Sequence, residues 1–244
     1  MLLKVLGSGS KGNCYLLESE NETLIIECGI SFKEIKIGLE FNLKNVVGCL
    51  ITHEHKDHCK AMQDILKSGI DVYTSFGTAR GIVKEDEVIE THHRLHYIKE
   101  CESFEVGNFT IMPFDVKHDA NEPLGFLIYH KDTGNILFAT DTYYIEYRFI
   151  NLSHILVECN YSAKILEQNN IDEARTERLL KSHFELENCK EFIKANNSLT
   201  LKNVVLLHLS DGNSNAKEFK AAIEGLTHKR VEIADKGLEI ELNN

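Results

Sequence analysis

The 244-residue sequence has no tryptophan and only two prolines. So little proline excludes a Pro-rich hinge or a polyproline linker, and neither low-complexity tracts nor internal repeats divide the chain. Long apolar runs are missing too. None approaches the roughly 18 to 20 residues that a membrane-spanning helix needs, and Met1–Gly7 turns into Gly/Ser with too little apolar length for a signal peptide. The chain is therefore expected to be cytoplasmic, with no membrane partner. Positive charge is scarce: 27 Lys and Arg stand against 38 Asp and Glu, a net charge of −11. Proteins that hold nucleic acid mainly by its backbone use Lys and Arg to displace counterions. The balance argues against a dedicated nucleic-acid-binding module, and it leaves room for an enzyme whose metal ions bind phosphate locally. The seven cysteines are odd in number and form no C-x-x-C pair. That excludes a zinc ribbon and argues for reduced thiols rather than a disulfide framework. Cys28, Cys49, Cys59 and Cys159 are expected as small core residues.

Apolar segments are plentiful and short. Lys4-Val5-Leu6, Tyr15-Leu16-Leu17, Thr23-Leu24-Ile25-Ile26, Val46 to Ile51 and Asp71 to Ser75 read as strands. Gly7 to Cys14 lacks the spacing of a phosphate-binding P-loop and precedes no helical pattern, so it reads as a strand-to-strand turn bordering a site. Lys60 to Lys67 has helical spacing and stops at Ser68-Gly69, and a helical stretch with Ala79, Ile82 and Val83 follows. Further strands are expected around His96, Phe104, Phe109 to Phe114 and Val116 to Asp119. Leu124 to Tyr129 and Ile136 to Asp141 form a hairpin. The second half alternates: strand Ile155 to Asn160, a helical region from about 163 to 195 with breaks, strand Val204 to His208, helix Ala216 to Leu226, and two closing strands. Strands that dominate early and alternate with helices later predict an α/β, αββα sandwich, two mixed sheets flanked by helices, as one domain over residues 1–244.

The most informative stretch is Thr52-His53-Glu54-His55-Lys56-Asp57-His58, which begins where the apolar run Val46–Ile51 ends. Imidazole and carboxylate together suit zinc, manganese or iron. His53 and His55, two apart in an extended turn, can aim at one ion; Asp57 and His58, opening the next helix, can aim at a second. Three more polar residues close apolar strands: His118, Asp141 and His208. They complete two sets. His53, His55 and His118 would hold the first ion, Asp57, His58 and His208 the second, and Asp141 would bridge both. Each ion keeps an open position, as a catalytic site requires. Two divalent ions roughly 3.5 to 4 Å apart can generate a bridging hydroxide near neutral pH and stabilise charge on the attacking and leaving oxygens. Asp57 and Asp141 would position that water.

With H-x-H-x-D-H followed by His118, Asp141 and His208, the sequence resembles the metallo-β-lactamase superfamily over nearly its whole length. Within it, Leu6 to Cys14, His118 to Phe126, Ala139 to Thr142 and Glu158 to Tyr161 are most similar to the small YycJ/WalJ-type hydrolases, and more distantly to tRNase Z. The resemblance implies a phosphodiesterase, and for the YycJ type a 5'-to-3' exonuclease on DNA, with single strands or ends as substrate. Ser182-His183-Phe184-Glu185 resembles the histidine element that precedes the last metal ligand in those families, although Gly-His-Leu-Ser is the usual form there. The resemblance implies that His183 protonates the leaving group. No large insertion of the β-CASP kind separates Asp141 from His208, and no tRNA-binding arm is present, so long structured RNA is disfavoured.

Several features stay open at this level. His92, His93 and His96 with Arg94 are expected as a solvated strand-end segment bordering a groove rather than a third metal site. Ser10, Lys11 and Asn13 could contact a phosphate, or serve the turn alone. Tyr143, Tyr144 and Tyr147 could stack on bases or pack as ordinary core and surface residues. Glu158, on its buried strand, suits a carboxylate that orients a ligand histidine. The same two-metal set would also serve a small-molecule hydrolase acting on a cyclic phosphodiester, lactone or thioester. A non-catalytic binding protein on this pattern should have lost ligands, and all seven are present.

Overall fold

A computed structural model of the chain describes residues 1–83, 92–169 and 173–243. Two seven-stranded sheets are formed among the described residues. The first begins as an antiparallel meander of β1 (Leu2–Gly7), β2 (Cys14–Glu18) and β3 (Thr23–Ile26). It then runs parallel through β4 (Val46–Leu50), β5 (Val72–Thr74) and β6 (Leu95–Tyr97). Parallel neighbours need crossover connections, and helices α1 (Phe32–Gly38), α2 (Lys56–Cys59), α3 (Met62–Lys67) and α4 (Phe76–Val83) lie in these connections.

The second sheet repeats this order of events. β7 (Phe104–Val106), β8 (Phe109–Asp115), β9 (Leu124–His130) and β10 (Gly134–Ala139) are antiparallel neighbours. β11 (Leu152–Glu158), β12 (Asn203–Leu207) and β13 (Arg230–Ile233) then continue in parallel. Their helices are α5 (Ala163–Gln168), α6 (Glu173–Ser182), α7 (Leu186–Asn196) and α8 (Ala216–Thr227). The last strand, β14 (Glu239–Glu241), returns to the first sheet and pairs with β1.

Side-chain alternation along the strands sorts the core into three layers. Leu24, Ile26 and Leu50 point between the sheets and meet Phe109, Phe126, Phe138 and Leu207. Ile25, Cys49 and Ile51 point outward to Ile35, Ile65 and Ala79 of the first helical layer. Ile155, Val157 and Leu206 do the same toward Phe192, Ile193 and Phe219 of the second. Strands covered on both faces read as continuous apolar runs, and that is why Val46–Ile51 and Val204–Leu207 carry no polar alternation. The αββα sandwich is the architecture observed.

Three local expectations are refined. The helix expected over Lys60 to Lys67 begins at Met62 as α3, set off from the separate short helix α2 by Ala61 in a non-helical backbone conformation. Val116 to Asp119 is loop, because β8 stops at Asp115. The region from 163 to 195 holds α5, α6 and most of α7, with residues 170–172 outside the described residues. Six of the seven cysteines are buried and unbridged, the exception being Cys101 on the surface. No helix among the described residues is long and apolar enough to cross a membrane.

His154 on β11 supplies a pH dependence separate from any metal. Its ring is fully buried beside Asn203, and burial, with the Lys202 charge adding to it, lowers its pKa to about 4. The unfolded chain takes up this proton below about pH 6.5 while the fold resists to about 4, so stability present above pH 6.5 is lost as the pH falls between these values. Between pH 7 and pH 5 this group should cost the wild type about 2 kcal/mol. His154→Gln should lose correspondingly less between the same two pH values in urea unfolding. Equal losses in the two proteins would rule the group out.

Candidate metal centre

The C-terminal ends of β4, β10 and β12 and the loop after β8 meet at one edge of the sandwich, and each delivers its polar residue there. His53 and His55 follow β4, Asp57 and His58 lie in α2, and His118, Asp141 and His208 follow β8, β10 and β12. Two strand ends turn sharply in the left-handed region, Asp141 at φ 35° and His208 at φ 51°, and Glu27 just after β3 does so at φ 65°. Such a conformation costs a non-glycine residue roughly 1 to 2 kcal/mol. Strain of this kind persists where the surroundings fix it and marks functional positions.

The donor atoms converge in two groups. His55 Nδ1 lies 3.1 Å from His53 Nε2 and 3.2 Å from His118 Nε2. Tetrahedral zinc with Zn–N bonds of 2.0 to 2.1 Å needs donors about 3.3 Å apart, so this trio fits an ion as it stands. On the other side, His58 Nε2 is 3.7 Å from Asp57 Oδ2, and His208 Nε2 is 4.0 Å from that same oxygen. Asp141 stands between the groups. Its Oδ1 is 3.4 Å from His58 Nε2, and its Oδ2 is 3.9 Å from His118 Nε2. Both trios are tight enough to hold a metal ion, and all seven residues expected from the sequence are brought together. Buried donors left without a protein partner, such as His208 Nε2, suit the same conclusion.

A layer behind the donors fixes their orientation, as second-layer partners of metal ligands commonly do. Thr52 Oγ1 is 2.9 Å from His53 Nδ1, and His118 Nδ1 donates to the Ser182 carbonyl at 2.8 Å. Glu27 Oε2 lies 3.5 Å from His58 Nδ1. Glu158, fully buried, accepts from His183 Nδ1 at 2.7 Å, from the Thr142 and Phe184 amides at 2.9 and 3.0 Å, and faces His208 Nδ1 at 3.2 Å. The role expected of Glu158 is thus matched by its contacts. Glu27 was not singled out from the sequence, although it is the one charge closing the apolar strand Thr23–Ile26. Asn13, left open between a phosphate contact and a turn role, is buried with its side-chain nitrogen 3.1 Å from His58 Nε2. Asn160 similarly donates to the His208 carbonyl at 2.7 Å.

The buried charges act on one another. Burial opposes ionisation of Asp141, but His208 and His58 hold its carboxyl well below the usual range. Burial pushes the Glu27 carboxyl up. The His58 ring is disfavoured as a cation by burial, yet Asp141 and Glu27 hold it protonated well above the usual range. An arriving ion must displace such protons, so metal binding releases protons and weakens as the pH falls.

Two cavities flank the donors and share Ser10, His55, Lys56 and Asp57. The first, about 1000 Å³, is bounded by His183, Arg178 and the 209–213 loop. The second, about 900 Å³, opens over α2, α3 and the end of α4. Other candidates lie elsewhere. His96 and Arg94 pair with Asp71, and His92 stacks on His93; none of these residues lines either cavity. Tyr147 hydrogen-bonds Asp115, while Tyr143 and Tyr144 are partly exposed outside both cavities. The Cys59 thiol donates to the Glu54 carbonyl at 3.2 Å and belongs to the core.

Comparison with known proteins places this geometry. The family described as the β-lactamase superfamily domain matches residues 24–209. The exodeoxyribonuclease WalJ of Streptococcus pneumoniae is 30% identical over 227 residues, which cover 88% of this chain and 83% of that protein. The exodeoxyribonuclease YycJ of Bacillus anthracis is 27% identical, covering 88% and 84%. Among solved structures, the metallo-β-lactamase fold protein YhfI from Bacillus subtilis superposes with a TM-score of 0.74 over 98% of this chain and 99% of that one, at 15% identity. At that identity the likeness speaks for the fold alone.

Two substitutions test how the donors are held. A Cβ on Gly29 would lie 1.6 Å from the Asp57 carbonyl oxygen, so Gly29→Ala must push α2 away. It should destabilise the fold by about 2 kcal/mol and lower the metal content of the purified protein; unchanged urea midpoint and metal content would contradict the packing. Glu27→Gln should weaken binding of zinc by about 10- to 100-fold in chelator competition, as loss of a carboxylate behind a ligand histidine typically does.

Proposed function

The chain belongs to the β-lactamase superfamily and is a metal-dependent hydrolase, and from that premise we propose that it is a two-metal phosphodiesterase acting as a 5'-to-3' exodeoxyribonuclease on single-stranded DNA or DNA ends. The observation that carries the reading is Asp141, whose two oxygens face two separate donor groups beside the His183–Glu158 pair. The relatives named as exodeoxyribonucleases support DNA over other diesters. His53, His55 and His118 are assigned to one ion, Asp57, His58 and His208 to the other, and Asp141 to both. Because these residues come from both sheets, residues 1–244 are taken as one domain.

Bound divalent ions of the zinc, manganese or iron type would supply an activated water near neutral pH and neutralise charge on the phosphoryl oxygens. The remaining work falls to the chain. Asp57 and Asp141 fix where the attacking water sits. His183 lines the first cavity, with Nδ1 tied to Glu158 and Nε2 left for the substrate. As the P–O3' bond breaks, the Nε2 proton passes to the departing oxygen and leaves a 3'-hydroxyl. In 5'-to-3' degradation that oxygen belongs to the terminal nucleotide, which would occupy the first cavity. Burial works against a charged His183, but the Glu158 charge and hydrogen bond outweigh it, so the ring keeps its proton above the usual range. A general acid must be protonated, so activity falls as the pH rises through that value.

A small cyclic phosphodiester, lactone or thioester is the second reading. The net charge of −11 favours it, since such substrates need no counterion displacement. The two readings separate in an assay with end-labelled DNA and RNA under manganese, zinc or magnesium. Stepwise, metal-dependent release of nucleotides from DNA, abolished by Asp141→Ala, is expected. Turnover of a lactone or cyclic diester with DNA left intact would overturn the exonuclease reading. His183→Ala should slow nucleotide release about 10²- to 10⁴-fold and remove the alkaline limb of the pH profile. It should slow bis(p-nitrophenyl) phosphate far less, because that leaving group needs no proton. Equal losses on both substrates would remove His183 from the acid role.

A further inference from the structure

The reaction as assigned uses the first cavity and leaves the second without a role. The second is continuous with the site, because Ser10, His55, Lys56 and Asp57 line both. The two cavities therefore meet beside His55 and Asp57. The second carries Lys11 and Lys60, with Lys56 in the part it shares with the first. Lys56 and Lys60 are exposed, one turn apart on the face of α2 and its C-cap, which sets their Cβ atoms about 5 to 6 Å from each other. Neither has an ion-pair partner among the described residues, whereas Lys4, Lys117, Lys220 and Lys236 are all paired. Lys11 reaches Asp211 only at 3.7 Å, with both side chains at least 90% exposed, and such pairs contribute little.

Of the acids that line this cavity among the described residues, Asp57 faces the metal donors, where a bound cation would offset it. Glu54 and Asp64 stand against the three lysines, one Glu54 oxygen accepting from the Asn121 amide at 2.9 Å. Ile82, Cys59 and Met62 give the same cavity an apolar lining. Cations at the rim and an apolar wall match the two chemistries of a nucleotide strand, phosphate and base or sugar. In a chain of net charge −11, a local cluster of unpaired lysines is where a polyanion gains contact.

We propose that the second cavity is the binding track for the retained DNA strand, with Lys11, Lys56 and Lys60 on backbone phosphates downstream of the scissile one and Ile82 against a base or sugar. This inference rests on the exonuclease reading of the same site. Contacts to phosphates position a strand without reading its sequence, so the track confers length dependence and salt dependence, not sequence preference.

The test compares wild type, Lys11→Gln/Lys60→Gln and a remote control, Lys44→Gln/Lys131→Gln, which removes the same charge at exposed positions outside both cavities. Each is assayed on a single-stranded 20-mer across a salt series and on bis(p-nitrophenyl) phosphate. The groove variant should raise KM for the 20-mer by about tenfold. It should also flatten the slope of log KM against log salt by about 1.4, at roughly 0.7 per lost single-strand phosphate contact. Turnover of the small diester should stay within about twofold of wild type, and the control variant should behave as wild type on both substrates. An unchanged KM and salt slope, or an equal shift in the control, would overturn the track. A wild type that hydrolyses the small diester and leaves the 20-mer intact would overturn the exonuclease reading itself, and the track with it.

Discussion

The carboxylate of Asp141 is the contact on which the rest depends. It lies in a left-handed turn at the end of β10 and places one oxygen toward His58 and the other toward His118. Remove it, and two trios of donors face one another across an edge of the sandwich with nothing in common. Retain it without ions, and a buried anion is surrounded by imidazoles that compete for protons. Burying so many ionisable groups is costly unless each finds a partner. Here the partners are arranged in two layers, Glu27 behind His58 and Glu158 behind both His183 and His208.

The sandwich exists, in this sense, to hold strand ends in register. Parallel pairing of β3 with β4, of β10 with β11 and of β11 with β12 brings those C-terminal ends to one edge, and apolar packing on both faces fixes them there. The helical layers contribute at two points. α2 begins inside the metal motif and supplies Asp57 and His58. The last residue of α6 supplies the Ser182 carbonyl to His118, and the residue after it, His183, lines the cleft. Gly29 belongs to the same construction, since only a residue without a Cβ lets the chain after β3 pass so close to the Asp57 carbonyl.

Much of this was legible in the sequence because the signal was local. H-x-H-x-D-H is contiguous, and His118, Asp141 and His208 stand out as polar residues next to apolar segments. Glu158 carries the same signal, and its expected place behind a histidine matches its contacts. Glu27 carries it too, at the end of Thr23–Ile26, but a single carboxylate beside a glycine turn gives no clue that His58 lies behind it. Asn13 was hidden for a different reason. Turn chemistry accounts for an asparagine between Gly12 and Cys14 without any distant partner, and its contact with His58 spans 45 positions. The break between α2 and α3 also escaped pattern reading, since the helical spacing of Ala61, Ile65 and Leu66 begins at the junction and gives no sign of it. Arg178 and the 209–213 loop line the cleft through tertiary placement alone, which no local period records.

In the proposed site two divalent ions share Asp141, and anomalous diffraction from crystals grown with zinc or manganese tests this most directly. The prediction is two peaks roughly 3.5 to 4 Å apart, one among His53, His55 and His118 and one among Asp57, His58 and His208, with Asp141 between them. A single peak in one trio at saturating metal, with the other trio empty, would contradict it.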